Sequence, residues 1–232
     1  SKKSSNLGPW KKINKIILKT KKQVNIAIIG KYVELKDAYK SLDEALTHGG
    51  IANNIKVKLI RIDSEKLKPY EIKKNLKNIS AILIPGGFGK RGTSGKIEAI
   101  RLARVNKIPF LGICYGMQMA IIEFARNKLK IKNATSSEFD KKGISIVGLM
   151  NEWDKEGKTV KGTDKDLGGT MRLGSYKAIL KDKSKIRDIY KSRLIEERHR
   201  HRYEVDISYK EKFEKNGLVF SGLSPDNKLP EI

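Results

Sequence analysis

The chain has 232 residues and a mass of 26.2 kDa, enough for one large domain or two small ones around a real core. A single cysteine excludes an internal disulfide and points to a reducing, cytoplasmic setting, and no apolar run approaches the roughly 20 residues of a membrane-spanning helix. Net charge is +24, from 50 basic and 26 acidic residues, yet the lysines are spread along the whole chain rather than gathered beside aromatics, so salt-sensitive adhesion to polyanions is expected and a specific nucleic-acid site is not. Residues 1–23 are polar and Lys-rich, with Gly8-Pro9 expected to break regular structure, and read as a linker or arm. Their composition is not that of a signal peptide, and the start at Ser1 reads as an excerpt or a processed product.

Val24–Gly30 is a β-branched run ending in glycine and predicts a buried parallel strand. Asp37–Thr47 has helical spacing with Asp37 as N-cap, Val57–Ile62 alternates as a strand, and Pro69–Asn78 reads as a polar helix. Ala81–Ile84 is a second buried strand leading into Pro85-Gly86-Gly87, Ser94–Asn106 a helix, Pro109–Ile113 a strand and Met117–Arg126 an apolar helix. Such regular alternation predicts an open, mostly parallel α/β sheet with helices on both faces. Beyond it, Ser145–Met150 reads as a strand, Asp166–Leu173 as Gly-rich, Ile186–Tyr190 as a short helix and Glu197–Val205 as extended. Leu218–Gly222 is a last full strand, and Lys228–Ile232 starts another.

Gly112-Ile113-Cys114-Tyr115-Gly116 carries the chemistry. It follows a strand, opens a helix and matches a nucleophile elbow with cysteine in place of serine. Glycines two before and two after Cys114 permit the tight turn, and the helix N-terminus favours a thiolate. An oxyanion formed by attack on a carbonyl needs donors: the Tyr115 N–H, and an N–H of the glycine loop 85–89 at the end of the preceding strand.

Pro85–Gly92 and Gly112–Gln118 together resemble the class I glutamine amidotransferases, whose sheet is flavodoxin-like. The segments Gly30–Leu35, Asp37–Ser41, Asn133–Phe139, Asp166–Gly174 and Glu197–Val205 narrow the resemblance to the C-terminal glutaminase domain of CTP synthases, over residues 24–232. The resemblance implies Cys114 as the nucleophile that forms a glutamyl thioester. It implies Gly87 and Tyr115 as oxyanion donors, and Gly87, Tyr115, Gly116, Met117, Gln118, Glu138 and Arg202 as the L-glutamine site. Glu138 would pair the substrate ammonium, and Arg91 would lie in a lid linked to GTP. No metal is implied in this chain. ATP, UTP and Mg²⁺ would bind an N-terminal synthetase domain that takes the ammonia, with GTP as activator and a homotetramer as the assembly. If Arg198, Arg200 and Arg202 lie on one strand face, with His199, His201 and Tyr203 on the other, the arginines form an anion site.

Two departures stand out. Tyr115 replaces the leucine more usual in that family and resembles GMP synthetase. The family's His-Pro-Glu segment, which supplies the base, is not found among the contexts of His48, His199 and His201. The chain alone is therefore expected to hydrolyse glutamine barely or not at all. The alternatives are an amidotransferase of another pathway, such as GMP synthetase, or a truncated, non-catalytic remnant.

Overall fold

The computed structural model describes residues 5–67, 72, 76–140, 142–149, 152–155, 158–161 and 171–232. They fall into two compact units. The first is residues 1–87 with 91–117, and the second is 88–90 with 118–232.

The first unit is built on four parallel strands, β1 (Gln23–Gly30), β2 (Lys56–Asp63), β3 (Ala81–Ile84) and β4 (Phe110–Gly112), in the order β2-β1-β3-β4. Register runs Ile26 to Leu59, Ile28 to Leu83, and Leu83 to Leu111. Ala27, Ile28, Ile29, Ile82, Leu83 and Ile84 are buried, as near-continuous apolar strands between helices require. This order reverses direction at β1. Right-handed crossovers then put α2 (Lys40–Ala52), between β1 and β2, and α3 (Thr93–Val105), between β3 and β4, on opposite faces. The switch point lies between β1 and β3, where ligands sit in open α/β sheets. All four carboxyl ends share one edge, which carries Lys31, Ser64, Pro85–Gly87 and Cys114.

Several local expectations are corrected. Gly8-Pro9 does not break the arm: Gly8–Lys19 is a helix (α1), because a proline in the first turn lacks only an N–H that would be unpaired there anyway. None of its residues is buried, and Leu7, Trp10, Ile17 and Leu18 are exposed. Asp37 lies inside a 3-10 turn, Lys36–Tyr39, that leads into α2, and does not cap it. Of the expected helix Pro69–Asn78, only Ile72, which is buried, and residues 76–78 are described.

In the second unit, β5 (Ala134–Ser136) pairs parallel with β6 (Ile144–Leu149), and β11 (Tyr203–Val205) pairs antiparallel with β6. A separate pair, β7 (Glu152–Lys155) and β8 (Lys158–Lys161), runs antiparallel. A third sheet runs β10 (Leu194–His201), β9 (Arg172–Leu180), β12 (Gly222–Leu223), with α5 (Lys185–Tyr190) between β9 and β10. Ala178, Leu180 and Ile195 form its core. A short helix α6 (Lys210–Lys215) buries Phe213 against Phe124 and Phe220, with ring centroids 5.8 and 5.9 Å away. The expected strand Leu218–Gly222 shrinks to Gly222–Leu223, since the Leu218 N–H is already spent on Phe213 O at the end of α6. The expected strand from Lys228 is a single bridge, Leu223 to Pro230, because proline cannot donate to a ladder. The expected Gly-rich stretch lies outside the described residues up to 170; beyond it, β9 begins at Arg172.

Arg172, 2% exposed, is the ionic centre of this unit. Its Nη1 donates to Glu204 Oε1 at 3.3 Å and its Nη2 to Glu231 Oε1 at 2.5 Å, while its guanidinium stacks on Tyr176 at 4.2 Å. Burial raises the carboxyl of Glu204 to about 8, against the pull of Arg172, and raises that of Glu231 as well. Burial also lowers His199 and His201, each to about 4, with Arg172 adding to the effect. Two neutral imidazoles fit the contacts. His201 Nδ1–H donates to Tyr203 O at 3.3 Å, and His199 Nδ1–H donates to His201 Nε2 at 2.8 Å.

A histidine held neutral in the fold but free to protonate when unfolded costs stability as pH falls. With the folded value near 4 and the ordinary value at 6.5, the loss runs through that window and totals about 3 kcal/mol for one such residue. Urea unfolding of His201→Asn beside the parent should show the variant's relative stability rising by about that amount from pH 7 to pH 4. A difference that stays constant with pH would contradict a neutral His201.

Candidate functional site

The elbow is built by close backbone packing. A methyl on Gly116 would fall 2.1 Å from Ile84 O, and one on Gly112 would fall 2.5 Å from the Gly116 carbonyl carbon. Neither position admits a side chain. Ile113 N–H donates to Ile84 O at 3.0 Å and Gly116 N–H to Ile113 O at 2.9 Å, which closes the turn. The residue at the corner takes the strain: Cys114 has φ +52, left-handed and uncommon outside glycine, asparagine and aspartate. It is half-buried and immediately precedes the helix Tyr115–Asn127 (α4). A methyl on Gly86 would stand 3.7 Å from Cys114 Cβ, so the loop after β3 lies beside the thiol. Nothing stands within 4 Å of the same position on Gly87.

Tyr115 is buried, and the Lys96 ammonium lies 4.9 Å from its ring centroid. Burial lowers Lys96 to about 8; Lys31 and Arg91 push the same way, while Glu65 and Asp63 oppose. Arg91 is paired through Nε with Glu65 Oε1 at 2.8 Å, and its guanidinium lies 5.8 Å from the Tyr32 ring. Gly116 is buried and Met117 half-buried.

The remaining expected residues belong to the second unit. Buried Gln118 donates from Nε2 to Tyr203 O at 2.8 Å, tying α4 to β11. Glu138 accepts the Gly89 N–H on Oε1 at 2.7 Å, and its own N–H donates to Ser136 Oγ at 3.2 Å. Arg202 is half-buried, and its Nε is enclosed without a hydrogen-bond partner among the described residues. The alternation of Arg198 and Arg200 with His199 and His201 holds along β10, arginines exposed and histidines half-buried, but β10 ends at His201. Arg202 therefore does not continue the arginine face. His48 is exposed on α2. Among the described residues no group of three or more His, Cys, Asp or Glu could hold a metal ion, and no helix is long and apolar enough to cross a membrane.

Residues 34–232 match the family model "Glutamine amidotransferase class-I". The chain belongs to this family. The amidotransferase is similar to "CTP synthase" of Pelagibacter ubique, 81% identical over the whole chain, and to that of Zymomonas mobilis, 54% identical over 98% of it. The chain spans 43% and 42% of the length of these two relatives. A solved structure titled "Trypanosoma brucei CTPS - glutaminase domain with bound acivicin" superposes with a TM-score of 0.76 at 36% identity, over 87% of this chain and 75% of that one. The open parallel sheet expected from the sequence is thus the fold of the family.

Sequence reasoning did not find Lys96 or the Arg172 cluster. A lysine at a core-facing helical position, and an arginine opening a strand of alternating burial, were the available signals.

The elbow carries its own test. Gly116→Ala must displace Ile84 or the start of α4. Urea titration is expected to show a loss of more than about 2 kcal/mol, in the range of severe overpacking. A variant as stable as the parent would mean that the backbone approach is looser than 2.1 Å implies.

Proposed function

We propose that this chain is the glutaminase part of a CTP synthase. Cys114 attacks the side-chain amide carbon of L-glutamine, ammonia departs, and water then hydrolyses the glutamyl thioester to glutamate. The observation that carries this reading is Cys114 at φ +52 on a strand-to-helix turn, at the carboxyl edge of the sheet and beside Gly86. The N–H groups of Gly87 and Tyr115 receive the oxyanion. Gly116, Met117 and Gln118 line the substrate, with Gln118 anchored on Tyr203 O. Glu138 keeps Oε2 for the substrate ammonium while Oε1 holds Gly89. Arg202, whose enclosed Nε has no hydrogen-bond partner among the described residues, takes the substrate carboxylate.

On this reading the ammonia aminates UTP at an N-terminal synthetase domain that uses ATP and Mg²⁺. GTP acts through the loop that carries Arg91, and the assembly is a cytoplasmic homotetramer. The general base is none of the three histidines here. His199 and His201 are committed to each other and to the Arg172 cluster, and His48 is exposed on α2. Turnover by these 232 residues alone is accordingly expected to be slow or nil.

Incubation with acivicin, followed by intact mass and peptide mapping, is expected to give one adduct on Cys114. L-Glutamine should suppress it and Cys114→Ala should abolish it. A folded chain that forms no adduct would favour the non-catalytic remnant. Amination of XMP rather than UTP by the protein that carries this chain would favour GMP synthetase.

A further inference from the structure

Helix α3 carries one residue that its packing does not call for. Its core-facing stripe runs Lys96, Ala99, Ile100 and Ala103, spaced as one helix face, and all four are buried. Three are small or apolar. The fourth, Lys96, is 2% exposed, and lysine is almost never buried so deeply without a partner. Two glycines put it there. A methyl on Gly95 would fall 2.2 Å from Ser64 O, and one on Gly92 would fall 2.3 Å from Ser64 Oγ. Their absence of side chains lets the first turn of α3 press onto the end of β2, and Lys96 packs inward.

The groups facing its ammonium come from every neighbouring element. Lys31 follows β1, Asp63 and Glu65 lie at and just after the end of β2, Arg91 precedes α3, and Tyr115 opens α4. Glu65 is engaged by Arg91, and Asp63 lies 3.8 Å from Lys66. Both carboxylates near the ammonium are thus engaged by other cations, and the ammonium itself lies against the Tyr115 ring. A methionine of similar volume would fill the stripe at less cost. A cation kept where a hydrophobe packs better marks a place where stability yields to function.

We propose that Lys96 is a positioning residue for Cys114: its ammonium, held on the Tyr115 ring, fixes the first turn of α4 so that the Tyr115 N–H stays aimed at the oxyanion, and its charge favours the thiolate. The inference rests on the reading of Cys114 as nucleophile. The mechanism is electrostatic and geometric, and Lys96 exchanges no proton with substrate. Lysine acts here through its neighbour, since Tyr115 directly follows the cysteine and its N–H heads the same helix.

The test compares the parent, Lys96→Met and Lys96→Arg in the protein as its gene encodes it. Iodoacetamide alkylation of Cys114 is followed from pH 5 to pH 9, together with the melting temperature. Lys96→Met is expected to move the alkylation midpoint to higher pH and to slow the reaction at pH 6.5 at least about threefold, while melting at or above the parent temperature. Lys96→Arg should stay nearer the parent profile. A Met profile that superposes on the parent overturns the proposal, whatever the melting temperature. A shifted profile in Lys96→Arg equal to that in Lys96→Met also overturns it, because the charge would then be irrelevant. If Lys96→Met does not fold, Lys96→Gln carries the same comparison. Failure of the parent to take up acivicin would instead count against the glutaminase reading and leave the alkylation comparison intact.

Discussion

The approach of the Gly116 backbone to the carbonyl of Ile84 is the contact on which the site depends. It lets a helix start almost on top of a strand end, and so compels the intervening residue into the left-handed region. That residue is the one cysteine of the chain. The thiol is presented at the mouth of the sheet by steric exclusion, and the amide groups of a fresh helix turn stand behind it. The loop after β3 closes the other side through Gly86, which also lacks a side chain. The geometry of a covalent catalyst thus follows from where side chains are missing.

The two units handle buried charge differently. Around Arg172 the charge is settled internally. Two carboxyls and two imidazoles surround one guanidinium, and burial raises both carboxyls and lowers both imidazoles. At Lys96 the Glu65 and Asp63 carboxylates are opposed by Lys31 and Arg91, and the ammonium rests on an aromatic ring. The first arrangement is that of a structural core. The second is poised, because its charge changes only slightly above neutral pH.

The first half of the fold was legible because buried parallel strands leave a clear trace. Val24–Gly30 and Ala81–Ile84 are unbroken apolar runs, and the glycines around Cys114 have fixed spacing. The second half was less so. Its strands alternate over short spans, and β9, central to its sheet, begins at an arginine whose partners lie 32 and 59 residues further on. Pairing across such distances is set by tertiary contacts and leaves no local periodicity. The fate of Gly8-Pro9 shows a different limit. Proline ends a helix or begins one according to position, and the residues alone did not say which. In the site, the cysteine announced itself through its glycines. Lys96 did not, because one lysine among so many looks like surface until its helix is placed.

Helix α1 holds Trp10, one of two tryptophans in the chain, with 69% of its surface in solvent. Leu7, Ile13 and Ile17 line the same shallow hollow. An indole already in water emits at long wavelength in the folded protein and gains little on unfolding, so it is a poor reporter of the core. It is a good reporter of its own surroundings. Any surface that comes to cover this apolar stripe will shift the emission to the blue, which makes the helix a built-in optical probe of contact that needs no label.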